Sequence, residues 1–175
     1  MTRARRFLVA AASLSVAALL FRAQLGAALV VRGDDFLYRS DARQARTYYA
    51  RALRFDPDSE SAADRYVFFG LQVRTHASLD AAIGVASAYL RRHPDDGAIL
   101  ADRALAYLIE RRYDKAEPDF ERAARASRDP RYFTFAGWAA LRAGRESVAR
   151  DLFDRALTID PRFRPARYAL REVTL

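Results

Sequence analysis

The sequence predicts an all-α fold, an array of repeated helical hairpins, and three observations carry that prediction. A small-and-aromatic face returns four times: Ala45-Tyr48-Tyr49-Ala52-Leu53, Ala82-Val85-Ala86-Tyr89-Leu90, Ala116-Asp119-Phe120-Ala123-Ala124 and Ala149-Leu152-Phe153-Ala156-Leu157. Within each copy the spacing is i, i+3, i+4, i+7, i+8, one face of a helix. The leading alanines lie 37, 34 and 33 residues apart. Twelve residues before each stands a small residue (Gly33, Gly70, Ala104, Gly137), and twelve after three of them stands a proline (Pro57, Pro94, Pro161). A period of this length marks a stack of units that bury their faces against one another.

The first element lies ahead of the repeats. Residues 1–6 are basic and precede an unbroken apolar run over 7–21; Arg22 interrupts, and residues 25–31 are apolar again. Fifteen helical residues span about 22 Å, short of the ~30 Å hydrocarbon core, a gap that snorkelling arginines can cover. A cleaved signal peptide would use the small-x-small site Ser15-Val16-Ala17, leaving an apolar core of only about eight residues. An uncleaved signal anchor accommodates the apolarity that continues past Ala17. A buried first helix is opposed by the arginine-rich flanks. The expectation is therefore an anchor over residues 1–25, single-pass in the inner membrane. Arg3, Arg5 and Arg6 stay cytoplasmic by the positive-inside rule, which puts the repeats outside the cytoplasm.

The order of a small residue, then Ala, an aromatic, Ala and Pro resembles the tetratricopeptide repeat. The fourth unit carries it most fully, with Phe133, Gly137, Leu141, Gly144, Ala149, Phe153, Ala156 and Pro161. The first matches from Gly33 through Leu37, Ala45, Tyr49, Ala52 and Pro57. In the second, Gly70, Ala82, Leu90 and Pro94 hold, but Ala86 stands where the aromatic is expected and Tyr89 where Ala is expected. In the third, Ala104, Tyr107, Leu108, Ala116, Phe120 and Ala123 hold, Arg128 replaces the proline, and Asp129-Pro130 follows. The resemblance covers residues 26–163 and implies a right-handed α-solenoid of four antiparallel hairpins.

Each hairpin has a physical reason beside the resemblance. The helices are expected at 26–39 with 42–55, 62–74 with 79–92, 97–111 with 113–127, and 131–143 with 146–159. A glycine or alanine in the first helix of each pair lets the second approach closely, and the aromatic fills the gap toward the neighbouring unit. The Asp-Pro pairs at 56–57, 129–130 and 160–161 are punctuation, because proline cannot continue a preceding helix. Pro118 inside a helix predicts a kink or a late start there. Asp95-Asp96 suits the N-terminus of the helix at 97. Arg164-Pro165 opens a capping helix over 164–175, with Ala166, Ala169, Leu170 and Val173 inward and Arg164, Arg167, Arg171 and Glu172 outward.

Composition narrows function. The formal net charge is +8, but Arg3, Arg5, Arg6 and Arg22 account for +4 and residues 162–175 for +3, leaving 23–161 at +1. A nucleic-acid binder would spread its basic face over the fold. The chain has no cysteine, so no thiolate or disulfide chemistry is available. His76 and His93 are expected in connecting segments, and no metalloprotease motif, phosphate-cradling loop or nucleophile elbow occurs. The expectation is a protein that is not an enzyme and takes no metal, cofactor, nucleic acid or small-molecule substrate.

What remains is binding by shape. In a tetratricopeptide solenoid the first helix of each hairpin lines a concave groove, and the resemblance puts Phe68, Leu71 and Arg74, then Ala101, Leu105 and Leu108, then Thr134, Trp138 and Arg142 there. These are mainly apolar, so the carboxylate grip of peptide-binding members does not fit, and a hydrophobic or amphipathic helical segment of a partner protein does. Trp138 and Phe68 can equally pack between hairpins. The expected function is a membrane-anchored, extracytoplasmic scaffold that assembles or stabilises an envelope protein complex. A soluble exported carrier or chaperone-like module is the alternative if the N-terminal segment is cleaved.

Overall fold

The computed structural model describes the backbone of residues 3–174 and the side chains of residues 13 and 15–173. The side chains of 1–6 and of the front of the apolar run, 7–12, lie outside the described residues. Among the described residues the chain forms nine α-helices and no strand. They are α1 (Arg3–Tyr38), α2 (Ala42–Phe55), α3 (Glu60–Val73), α4 (His76–Leu90), α5 (Gly97–Ile109), α6 (Tyr113–Ser127), α7 (Pro130–Arg142), α8 (Glu146–Ile159) and α9 (Arg164–Thr174). The fold class is the all-α hairpin array that the repeat predicts.

The ends of the helices follow local chemistry. Asp41, Asp96 and Asp129 cap α2, α5 and α7 by accepting backbone N–H groups of the first turn. Helix α4 starts three residues earlier than expected because Thr75 and Ser78 form a reciprocal capping box. His76 thus sits in its first turn rather than in a connector. Helix α6 begins at Tyr113, so Pro118 causes no late start. The bond Pro118 forfeits is to the carbonyl of Asp114, an exposed first-turn residue that water can serve. Asp129-Pro130 opens α7, with Asp129 as cap and Pro130 at the first helical position, so it starts a helix rather than ending one. The end of α6 is instead set by Arg128 in the left-handed region, φ 54°.

The chain divides into two compact units, residues 1–66 and 67–175. In the first, α2 packs antiparallel on the C-terminal half of α1 around Val30, Ala45, Tyr49, Ala52 and Ala62. Helix α1 is a single helix of 36 residues that runs through the 25/26 boundary without a break. A Cβ on Gly33 would lie 2.4 Å from the Tyr49 ring, so only glycine lets the two helices close. The Tyr49 hydroxyl donates to Asp34 Oδ1 at 2.7 Å, and Arg65 Nε meets the same oxygen at 2.6 Å. Burial, and then that bond, raise the Tyr49 pKa.

In the second unit each helix packs on its chain neighbours, α4 on α5, α5 on α6 and onward to α9, which also touches α7. One core runs from Ala104 through Phe120, Phe133, Leu152 and Phe153 to Ala166 and Ala169. Phe153 repeats the Tyr49 arrangement: its ring lies 2.4 Å from where a Cβ on Gly137 would stand. The aromatic therefore seats on the glycine of its own hairpin. Phe120 is the one that reaches forward, its ring 5.5 Å from that of Phe135 on α7.

Candidate protein-binding face

The residues expected in the groove fall on α3, α5 and α7, and the repeat period sorts them. Counting back two residues from Gly70, Ala104 and Gly137 gives Phe68, Asp102 and Phe135; counting one forward gives Leu71, Leu105 and Trp138. Of these, Phe68 is 52 % exposed, Phe135 44 % and Leu105 39 %. Trp138 is half-buried, its indole edge-on to Phe153 with ring centroids 5.7 Å apart. Leu71 is buried. The exposed apolar face is thus Phe68, Leu105 and Phe135, backed by Trp138.

Ala101 and Thr134 are buried, and so is Val67, the equivalent position of the preceding helix. They lie three residues before the small position, one step out of register with Phe68, and that step turns them inward. The Thr134 hydroxyl is spent on the carbonyl of Pro130 at 2.9 Å. Leu108 is half-buried against the core, whereas Arg74 and Arg142 are exposed at the ends of their helices. Arg74 is left-handed, φ 54°, and its Nε donates to the Leu71 carbonyl at 3.3 Å. Phe135 was not among the expected residues. Its signal was present in the sequence, since it stands two residues before Gly137 as Phe68 does before Gly70.

Behind this face lies a buried ion pair that the apolar pattern hides. Asp119 occupies the place held by Leu152 in the fourth copy. Arg103 grips it with two bonds, Nε to Oδ2 at 2.6 Å and a terminal nitrogen to Oδ1 at 2.8 Å, and donates a third to Ser87 Oγ at 3.1 Å. One guanidinium therefore ties α4, α5 and α6 together. Its bidentate geometry is the strong form of such a contact.

Two further polar groups bear on what chemistry the unit can do. His76 bridges two carboxylates, Nδ1 to Glu110 at 2.8 Å and Nε2 to Asp80 at 3.2 Å, and Arg112 stands 3.6 Å from Asp80. The Glu110 bond, then the Asp80 charge, raise the imidazole pKa above its ordinary 6.5. His76, Asp80 and Glu110 have the donor types of a metal site. Each ring nitrogen already faces a different carboxylate, however, which suits an imidazolium clasp better than a shared cation. Glu117 and Arg145 pair at 2.5 Å, and burial raises the Glu117 pKa against that pairing. On α9, Arg164, Arg167, Tyr168 and Arg171 surround a shallow depression on the outer face.

Comparison with known proteins places this geometry. The tetratricopeptide repeat profile matches residues 74–130 and 102–162, together just over half of the chain. The chain belongs to the tetratricopeptide repeat family. Among solved structures it is similar to MamA, with a TM-score of 0.73 at 14 % identity over 86 % of this chain and 81 % of that one. A tetratricopeptide repeat protein from Parabacteroides merdae gives 0.69 at 20 %, over 86 % of this chain and 60 % of that one. PilF from Pseudomonas aeruginosa gives 0.66 at 18 %, over 87 % and 68 %. At these identities the likeness concerns the fold alone. No curated protein matches by sequence. Tetratricopeptide repeats in general bind proteins or peptides and are not themselves catalytic.

Proposed function

We propose that this tetratricopeptide repeat protein is a non-catalytic scaffold, anchored in the inner membrane by α1 with its repeats outside the cytoplasm, that assembles or stabilises an envelope protein complex. The observation that supports it best is the exposed apolar face of Phe68, Leu105 and Phe135 on the first helices of successive hairpins. Large apolar side chains gathered on one face of neighbouring helices suit a contact surface, and a hydrophobic or amphipathic helix of a partner can cover them. Anchoring draws support from α1, whose described stretch Ser15–Tyr38 is long and apolar enough to span a bilayer. Val16, Leu19, Leu20 and Phe21 are 55–65 % exposed rather than packed as core.

Photo-crosslinking residues placed at Phe68 and Phe135 in native membranes should yield one discrete adduct each, to the same protein. Phe68→Glu with Leu105→Glu should weaken that association by about 2 kcal/mol, roughly thirtyfold, with helicity unchanged. An adduct from position 135 that survives the double substitution would sink the assigned face. Trp138→Ala is the poorer probe, since the indole also packs on Phe153. Intact mass decides between anchor and exported carrier, because cleavage at Ala17 removes the first seventeen residues and with them the anchor.

A further inference from the structure

We infer that the bilayer surface lies at Arg22, and that the end of the first hairpin formed by Arg22, Arg54 and Phe55 rests on the lipid headgroups; this depends on α1 being a membrane anchor. Composition alone does not fix the depth, because the apolar stretch of α1 extends over Ser15–Tyr38. Packing within residues 1–66 does fix it. From Gly26 onward α1 is covered by α2: Gly33 against Tyr49, Val30 beside Ala52, and Gly26 so close to Asp56 that a Cβ would stand 2.8 Å from the Asp56 Cβ. Arg22 Nε donates to the Phe55 carbonyl at 3.0 Å, level with the last residue of α2. Residues 15–24 are all exposed.

Were the span to reach Tyr38, it would carry Arg32, Asp34 and Asp35 and draw the exposed Arg43, Arg46, Arg51 and Arg54 of α2 into hydrocarbon. The span must therefore end where α2 ends. There the exposed Arg22 has N–H donors besides the one given to Phe55 to offer phosphate oxygens, Arg54 adds a second cation, and Phe55, 42 % exposed, supplies the aromatic suited to the interface. Because α1 is unbroken, the first hairpin stands rigidly on the membrane with no linker between span and repeat.

The chain contains no cysteine, so single cysteines are unique reporters. The full chain, carrying one polarity-sensitive fluorophore at position 19, 28, 31 or 55, is reconstituted alone into phosphatidylethanolamine–phosphatidylglycerol vesicles holding nitroxide lipids labelled either at the headgroup or deep in the acyl chain. The label at Leu19, about 4.5 Å below that surface, should shift to the blue and be quenched by both nitroxides. Labels at Ala28 and Val31 should emit as in water. The label at Phe55 should be quenched by the headgroup nitroxide only. Deep quenching at Ala28 and Val31 as well as Leu19 would overturn the assigned depth while leaving the anchor intact, as would a Phe55 label untouched by either nitroxide. A chain that stays in the supernatant, with no site quenched, would overturn the anchor and this inference together.

Discussion

Asp119 is the residue at which the repeat pattern and the structure part company. Its place on the helix face belongs to core side chains, and it is tolerated there only because Arg103 satisfies both carboxylate oxygens. Asp119→Ala strands a largely buried guanidinium with Ser87 alone, and breaking one half of such a pair costs about 3 kcal/mol, the low end of the usual range because Arg103 keeps some exposure. Replacing both partners, Arg103→Met with Asp119→Leu, should cost clearly less than the single change, since no charge is left unpaired. Urea unfolding followed at Trp138 measures both; a single variant within about 0.5 kcal/mol of the parent would show the pair to be idle. Spacing sees only which side of a helix a residue is on, so it read Asp119 as part of the face without its partner on another helix. The same limit explains the groove. Phe68, Leu105 and Trp138 were legible from the period, but Ala101 and Thr134 are one step out of register, an error of about 100° around a helix. Counting from the glycines would have replaced Thr134 with Phe135.

At the scale of elements, most helix ends were legible because caps and prolines are written locally, and the bounds of α2, α6 and α8 fall at the expected residues. What was not legible was continuity. Nothing in a hydropathy pattern says that the apolar run and the first helix of the first hairpin are one rod, nor where α2 closes against it. Immersing the four exposed arginines of α2 would cost about 3 kcal/mol each, roughly 12 kcal/mol in all, and that decides against a span centred on α1's C-terminal half. His76 makes the corresponding point for connections between hairpins. It stands on the first turn of α4 and reaches Glu110 at the C-terminus of α5, clasping two hairpins through an imidazolium. Its folded pKa is raised above 6.5, so the stabilisation is fully present below 6.5 and is lost as pH rises through the folded pKa. Proton NMR of the ring should find a titration above 6.5 that Glu110→Gln lowers and Asp80→Asn lowers less. A ring that titrates at 6.5 in the parent would mean the clasp is open in solution.

At the largest scale, each helix of residues 67–175 packs on its chain neighbours, so removing one exposes the faces of those beside it. Helix α9 closes the core of α7 and α8 with Ala166 and Ala169 fully buried and Leu170 and Val173 half-buried, while its arginines face outward. We propose on that division that α9 acts as a cap, with one face continuing the stack and the other turned to water. Deleting residues 164–175 should cost the second unit about 3 kcal/mol, the transfer value of the apolar groups that α9 buries, before counting what α7 and α8 newly expose. Trp138 is the only tryptophan and packs within this unit against Phe153, so its fluorescence reports that loss directly. Its urea midpoint in the truncated chain should fall, and a dye that binds exposed apolar surface should brighten before any urea is added. A label on Leu29, half-buried against the core of residues 1–66, follows that unit separately, and its transition should move less than that of Trp138. An unchanged Trp138 midpoint would mean that α9 is an appendage rather than a cap. The apolar face of α7 and α8 beneath it would then have to be stable in water unaided, which its buried Leu152 and Phe153 argue against.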